Sequence, residues 1–387
     1  MILELHLIQN FAPSNLNRSD TGAPKDCIFG GSRRARISSQ CFKRAMREYF
    51  KDNFAAQNNL AERSTRLVEE LASQIEKAGK DKSEAKRVVE TALAGIGLKM
   101  SSKDPEKTQY LLFLGRDEIK NIADVCLEHY DELLAVAPPD TTDMTAKQAK
   151  QAAKGGSVDA VSKALQKVLD GGKAADLALF GRMLADLPDK NRNASSQVAH
   201  AISTHKTGVE FDFFTAVDDL KPEDTAGSDH LGTVEFNSAC FYRYLNVNTD
   251  LLKSNLQGDE ELTRATVEAF IRAAVEAIPT GKQNSFATHE KPSFVLAVAR
   301  SGGMCSLANA FVKSAKASER HDLISDSVAR LENHWRKLAE GYGDESAKFV
   351  FNISNHDLDY LKDARETRIS DLIEKSVNAV LGERREA

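Results

Sequence analysis

The chain has 387 residues, of which 41% are hydrophobic and 28% charged, and a formal net charge of −5. That length and composition exclude wholesale disorder and imply a folded protein with one main core and insertions. The stretch Met1 to Ile8 lacks the basic start and unbroken apolar run of a secretion signal, and no later window reaches membrane-spanning length, so a cytoplasmic protein is expected.

Leu3, Leu5 and Leu7 alternate with Glu4 and His6, the period of a half-buried strand whose second face is wet. A loop rich in Asn, Ser, Gly and Pro follows from Pro13 to Lys25. Between Cys27 and Arg47 there is no Asp or Glu, while Arg33, Arg34, Arg36, Lys43, Arg44 and Arg47 all fall there. Ser38-Ser39 reads as a helix start, with Phe42, Ala45, Met46, Tyr49 and Phe50 on one face and Gln40, Lys43, Arg44, Arg47 and Lys51 on the other.

From 58 to 187 the chain is rich in Ala, Lys, Glu and Leu, and reads as an inserted set of helices broken at Pro138-Pro139, Gly155-Gly156 and Gly171-Gly172. Lys147, Lys150 and Lys154 lie three and four residues apart, giving either an ordinary solvated face or a basic one with a partner. Strand-like sequence returns over Ser195 to Thr204 and Val209 to Val217. An acidic stretch then leads into Thr233 to Tyr242, so a long hairpin is expected. A helix near Leu262 to Ala277, a central strand at Phe294 to Ala299 and a mainly helical tail from Ala310 complete the reading. The fold class is α+β, with a discontinuous main domain at 1–57 and 188–387 enclosing the helical insertion.

Two constellations carry chemistry. Arginines and lysines beside a helix N-terminus, with Ser and Gln donors, suit a sugar-phosphate backbone; the other reading is a surface helix whose arginines pair with acidic neighbours. Phe211-Asp212-Phe213-Phe214-Thr215 sits in acidic surroundings, so contact with nucleic acid there would be by stacking or wedging of rings, against core burial as the alternative. Enzyme signatures are not found: Gly281-Lys282 lacks the spacing of a phosphate-binding loop, there is no G-x-S-x-G, and His200 and His205 fall on opposite faces of a strand. Five scattered cysteines, Cys27, Cys41, Cys126, Cys240 and Cys305, suggest neither a disulfide framework nor a zinc site and read as reduced and mostly buried. No catalytic residue, metal or cofactor is assigned.

The blocks Ser14-Asn15-Leu16-Asn17-Arg18, Lys25 to Gly31 and Arg33 to Gln40 resemble the N-terminal signature of the CasC backbone subunits of type I-E CRISPR Cascade, within the RAMP superfamily. Further matches in the same order are Phe180 to Met183, Ala199 to His205, Phe213 to Asp219, His230 to Thr233, Phe241 to Tyr244 and Gly281 to Asn284. The resemblance implies a palm with a modified RRM (ferredoxin-like) sheet, helical fingers at 58–187 and a hairpin thumb at 195–230. No RNP1 string is present, so the RRM reading rests on this likeness.

The resemblance also implies partners: a CRISPR guide RNA, further copies of the chain in a helical filament, other Cascade subunits and target DNA. Its RNA-binding residues map to Arg18, Lys25, Ser38, Gln40, Lys43, Arg44 and Arg47. Arg182 and Met183 would lie by a displaced nucleotide, with Phe213, Phe214 and Thr215 on the thumb. Lys147, Lys150 and Lys154 would face DNA. The acidic thumb, including Asp218 and Asp219, is expected to dock on the next copy. The alternative is an RNA endonuclease using a loop aspartate, Asp20 or Asp26, as related type III backbone subunits do.

Overall fold

The computed structural model describes residues 1–104, 106–136, 158–216, 230–319 and 321–383. Two compact units result. The first comprises Met1–Asp52, Ser196–Thr249 and Val267–Ala387, and the second Asn53–Ser195 and Asp250–Thr266. The segment Asp250–Thr266 therefore groups with the insertion, although it lies far beyond 187 in the chain.

The first unit is built on β1 (Ile2–Ser14), which pairs antiparallel with both β9 (His230–Asn248) and β10 (Phe294–Arg300). Between β1 and β9 in the chain come β2 (Asp26–Phe29), β3 (Ser32–Ile37), helix α1 (Ser39–Asn53), β6 (Ser196–Val198), β7 (Ala201–Ser203) and β8 (Glu210–Ala216). The long sheet runs β12-β11-β10-β1-β9-β7-β3-β2, with β11 at Ala347–Asn352 and β12 at Arg365–Glu366. The order β10-β1-β9-β7, with α1 after β1 and the helix Glu260–Glu276 between β9 and β10, is the βαββαβ plan of a ferredoxin-like sheet.

Both faces of β1 are dry. Leu3, Leu5 and Leu7 are fully buried, and so are Glu4 and His6, which corrects the expectation of a wet second face. The helix Leu323–Tyr342 lies over that second face, bringing Val328, Leu331 and Trp335 into one cluster with Ile8, Tyr242, Tyr244 and Leu296. Burying two polar residues there is tolerated because they have partners. Glu4 accepts from the Tyr244 hydroxyl (2.6 Å) and the Cys305 amide (2.7 Å) and pairs with Arg300 (2.7 Å). His6 Nδ1 lies 2.9 Å from the Tyr242 hydroxyl and its ring stacks on Tyr244.

Alternation alone could not distinguish water from a second polar-aromatic layer. Nor did the tail show β11, a six-residue strand between longer helical stretches that pairs with β10. The arginine-rich segment is likewise a strand, β3, whose polarity disguised it.

In the second unit, α2 (Leu67–Lys77), α3 (Lys82–Gly95) and α4 (Arg116–Glu128) bury Leu71, Ile75, Val88, Val89, Leu93 and Ile122 in one core. A two-stranded sheet, β4 (Ala61–Ser64) with β5 (Leu112–Gly115), accompanies these helices. The Ala-Lys-Glu-Leu composition had concealed it. No helix among the described residues is long and apolar enough to cross a membrane.

Candidate nucleic-acid interface

Helix α1 begins where the sequence placed it, and the details decide which basic side chains reach solvent. Ser38 accepts from the Cys41 amide through its hydroxyl (3.3 Å), the N-cap arrangement, while its own amide donates to Asn17 Oδ1 (2.8 Å). Asn15 pins the following loop by donating to the Gly22 and Glu235 carbonyls (2.9 and 2.8 Å). The loop and α1 form one side of a cleft of 790 Å³ closed by Pro279, Thr280 and Gly281. Gly281 is required there: a Cβ would stand 2.4 Å from the Leu16 carbonyl oxygen.

Arg18 and Arg44 are exposed and both open on this cleft, with Asp20 and Glu48 on its rim. Gln40 is exposed on the same helix, and Lys25 and Lys43 are half-buried. Burial pushes the Cys41 thiol up, with Lys25 and Arg44 pulling against it, which puts both cations near the start of α1.

The remaining arginines all have partners, and all but Arg33 are drawn at least partly into the fold. Arg47 is buried with Phe42, Met46 and Phe50 on the inner side of α1, so it does not share the outer face expected for it. Arg34 is fully buried and donates to the Ser203 (3.1 Å), Thr204 (2.8 Å) and Phe311 (2.8 Å) carbonyls, tying β3 to its neighbours. Arg33 pairs with Asp26, and Arg36 donates to the Asp26 carbonyl (3.1 Å) and meets His200 Nδ1 at 2.9 Å. Burial, with the Arg36 and Lys25 charges, lowers the His200 pKa. His205, by contrast, accepts from the Cys240 amide (3.1 Å), so the two histidines serve separate structural contacts. The basic run thus divides into arginines that build the sheet and an outward set. Glu48, one turn beyond Arg44, was overlooked although its spacing was readable.

The hairpin of β8 and β9 presents its aromatics to solvent. Phe211 is 64% exposed, Phe213 74% and Phe214 43%, and Thr215 is exposed too. Phe211 and Phe213 share a face with Glu235 and Thr233, while Phe214 turns to the other face opposite Gly232. The Phe214 ring occupies the space a Gly232 side chain would fill: a Cβ there would lie 2.1 Å from Phe214 Cζ.

In the second unit, Arg182 and Met183 have opposite fates. The Arg182 guanidinium is buried against the Glu118 carboxylate, at 2.9 and 2.8 Å to its two oxygens, whereas Met183 is 80% exposed. Arg182 is thus a support, and Met183 alone of the pair is presented outward. Lys147, Lys150, Lys154, Asp218 and Asp219 lie outside the described residues. Cys126 and Cys240 are buried, but Cys27, Cys41 and Cys305 are half-buried, fewer inside than expected. No cluster of His, Cys, Asp or Glu among the described residues is placed to hold a metal ion.

The family model described as CT1975-like protein matches residues 3–375. The chain belongs to the CT1975-like family. Among solved structures, a chain from a "CRISPR RNA-guided surveillance complex, pre-nicking" is 30% identical with a TM-score of 0.82, covering 98% of this chain and 100% of that one. A second, from a "CRISPR RNA-guided surveillance complex", is 25% identical with a TM-score of 0.74 and the same coverage. No curated protein matches. For this CT1975-like chain the resemblance to Cascade backbone subunits read from its N-terminal motifs is borne out, as is the α+β class.

Proposed function

We propose that this chain is a non-catalytic, multi-copy subunit of a CRISPR RNA-guided surveillance complex, which polymerises along guide RNA and holds its backbone. In this reading it displaces bases at intervals so that the guide pairs with target DNA, alongside the other Cascade subunits. The observation that carries the reading is the cleft onto which exposed Arg18 and Arg44 both open, in a chain where Arg34 and Arg47 are buried, Arg36 is half-buried and Arg33 is paired with Asp26 at the surface. Two guanidinium groups can hold phosphate oxygens without reading bases. Lys25, Gln40 and Lys43 extend that contact, with Ser38 shaping it as a cap and Arg47 from within the core. The hairpin supplies Phe213 and Thr215, with Phe214 behind them, and Met183 meets the displaced nucleotide. Lys147, Lys150 and Lys154 are assigned to target DNA, and Asp218 and Asp219 to the next copy.

The test is purification of the complex with its RNA extracted and sequenced, followed by RNA binding of an Arg18→Ala plus Arg44→Ala variant across a salt series. Binding that is indifferent to salt and to both substitutions would sink the proposal. Complementary RNA incubated with the complex and a divalent metal should stay intact. Cleavage abolished by Asp20→Ala or Asp26→Ala would mark a nuclease instead.

A further inference from the structure

Arg243 is a fully buried guanidinium that no carboxylate among the described residues neutralises. It stands opposite Leu7 in the register of β1 with β9, and its Cζ lies 4.1 Å from the centroid of the Phe42 ring on α1. Nη1 donates to Gln9 Oε1 (2.6 Å), while Nε and Nη2 are buried with no acceptor among the described residues. A charge in such a layer is costly, and an apolar side chain of similar volume would fill the place with less desolvation. Packing therefore does not account for it.

Its connections do. Gln9 is also fully buried, and its Nε2 donates to the Glu290 carbonyl (2.7 Å). Glu290 in turn accepts from the Ala12 amide (3.3 Å), and the Thr288 hydroxyl donates to the Pro13 carbonyl (3.3 Å). Inside the same loop the Gln283 carboxamide donates to the Pro279 (3.1 Å) and Thr288 (2.8 Å) carbonyls. Lys282 (φ 53°) and Ala287 (φ 48°) are held there in the left-handed region, a strained conformation for residues other than glycine that persists only where surrounding contacts fix it. The start of this loop, Pro279 to Gly281, is the cleft wall that faces Arg18 and Arg44. Phe42 is flanked by Cys41 and, three residues on, by Ala45, which line the cleft from α1.

We propose that Arg243 is a positioning residue for the cleft: stacked beneath α1 and tied through Gln9 to the 279–290 loop, it holds the two walls at the separation a phosphodiester backbone needs. This rests on the RNA-holding reading above and adds to it a group that never touches RNA. A flat guanidinium suits the place because one face can lie on an aromatic ring while the edge donates. Gln9 suits the next place because a carboxamide accepts from the arginine and donates to a carbonyl at once.

The test uses the complete chain, with hydrogen exchange read by mass spectrometry and single-stranded RNA binding measured across a salt series. Gln9→Glu is the decisive variant. It gives Arg243 a carboxylate, so the fold is kept, but an ionised carboxylate has no donor for the Glu290 carbonyl. Amides of the 279–290 segment then exchange about tenfold faster, the loss of roughly one hydrogen bond, with β1, β10 and the helix Leu323–Tyr342 unaltered. RNA affinity falls about tenfold at every salt concentration with its salt slope unchanged, since Arg18 and Arg44 still meet phosphate. Arg243→Met gives the same pattern, and Arg243→Lys, which keeps a charge and a donor, restores part of it. Loop exchange that is unchanged in both Gln9→Glu and Arg243→Met overturns the proposal. So does a faster loop with RNA affinity intact, which would make the link purely structural, or faster exchange throughout the first unit in Gln9→Glu. Wild-type protein that does not bind RNA defeats the underlying reading instead, whatever the loop does.

Discussion

Replacing Arg182 by methionine keeps most of the side-chain volume and removes only the charge and its donors. The Glu118 carboxylate would retain the Gly115 amide (2.8 Å) and the Gly171 amide (2.7 Å) but lose both bonds from Arg182, with side chains only 0% and 1% exposed to water. The Lys190 carbonyl would lose two donors as well. An uncompensated buried charge of this kind costs about 3 to 5 kcal/mol, a large part of the roughly 5 to 15 kcal/mol that holds a protein folded. Glu118→Ala should cost more, because two buried amides lose their acceptor at about 1 to 3 kcal/mol each. Lysine at 182 cannot reproduce the two-oxygen contact and should rescue little. Guanidinium denaturation followed by far-UV circular dichroism measures these losses, and a double-mutant cycle isolates the pair. A loss below about 1 kcal/mol for Arg182→Met, within the range of an ordinary substitution, would refute the assignment of this pair as the support of the Met183 turn.

Burial, with the Arg300 charge behind it, lowers the His6 pKa to about 3 from its ordinary 6.5. The unfolded chain therefore binds a proton through the interval between these values and the folded chain does not, so stability falls as pH drops from 6.5 towards 3. The loss at pH 5 relative to pH 8 is about 2 kcal/mol. Burial raises the Glu4 pKa, which acts in the opposite sense above its ordinary value of 4.5. Comparing wild type with His6→Gln in urea at both pH values isolates the histidine, and parallel losses in the two proteins would contradict the account. Arg18→Ala and Arg44→Ala should each reduce the slope of log affinity for single-stranded RNA against log salt by about 0.7, read by filter binding; an unaltered slope would exclude that side chain from the backbone contact. Gly232→Ala should displace the Phe214 ring with little loss of stability, because the clash is with the far end of a side chain. Fluorine NMR of labelled phenylalanine would show a shifted Phe214 resonance, and an unmoved one would show that the ring does not depend on that glycine.

The elements that were legible in the sequence are those whose side chains report their surroundings directly. The alternating leucines of β1, the Ser38 cap and the apolar run of β10 each name one environment. What was hidden depended on partners distant in the chain. Glu4 and His6 look solvent-facing until Tyr242, Tyr244 and Trp335, more than two hundred residues away, cover them. Arg34 and Arg182 look like phosphate ligands until the carbonyls and the carboxylate that consume their donors are in place. The cleft was only half readable: Arg18 and Arg44 belong to one continuous stretch, whereas the wall at Gly281 comes from the far end of the chain. Arg47 differs from Arg44 only by its position around α1, a rotation that an acid-free sequence does not mark.

The helix Leu323–Tyr342 has a consequence for engineering. A ferredoxin-like sheet that binds RNA through its open face must keep surface aromatics there, and every gain in stability on that face then risks function. Here that face is sealed, and the outward groups lie on a loop, one helix flank, a hairpin and a turn of the insertion. Under the proposed function, stability and RNA binding are therefore separable design variables. The sealed layer can be repacked for heat resistance, or the hairpin exchanged for another, with each change judged by its own assay.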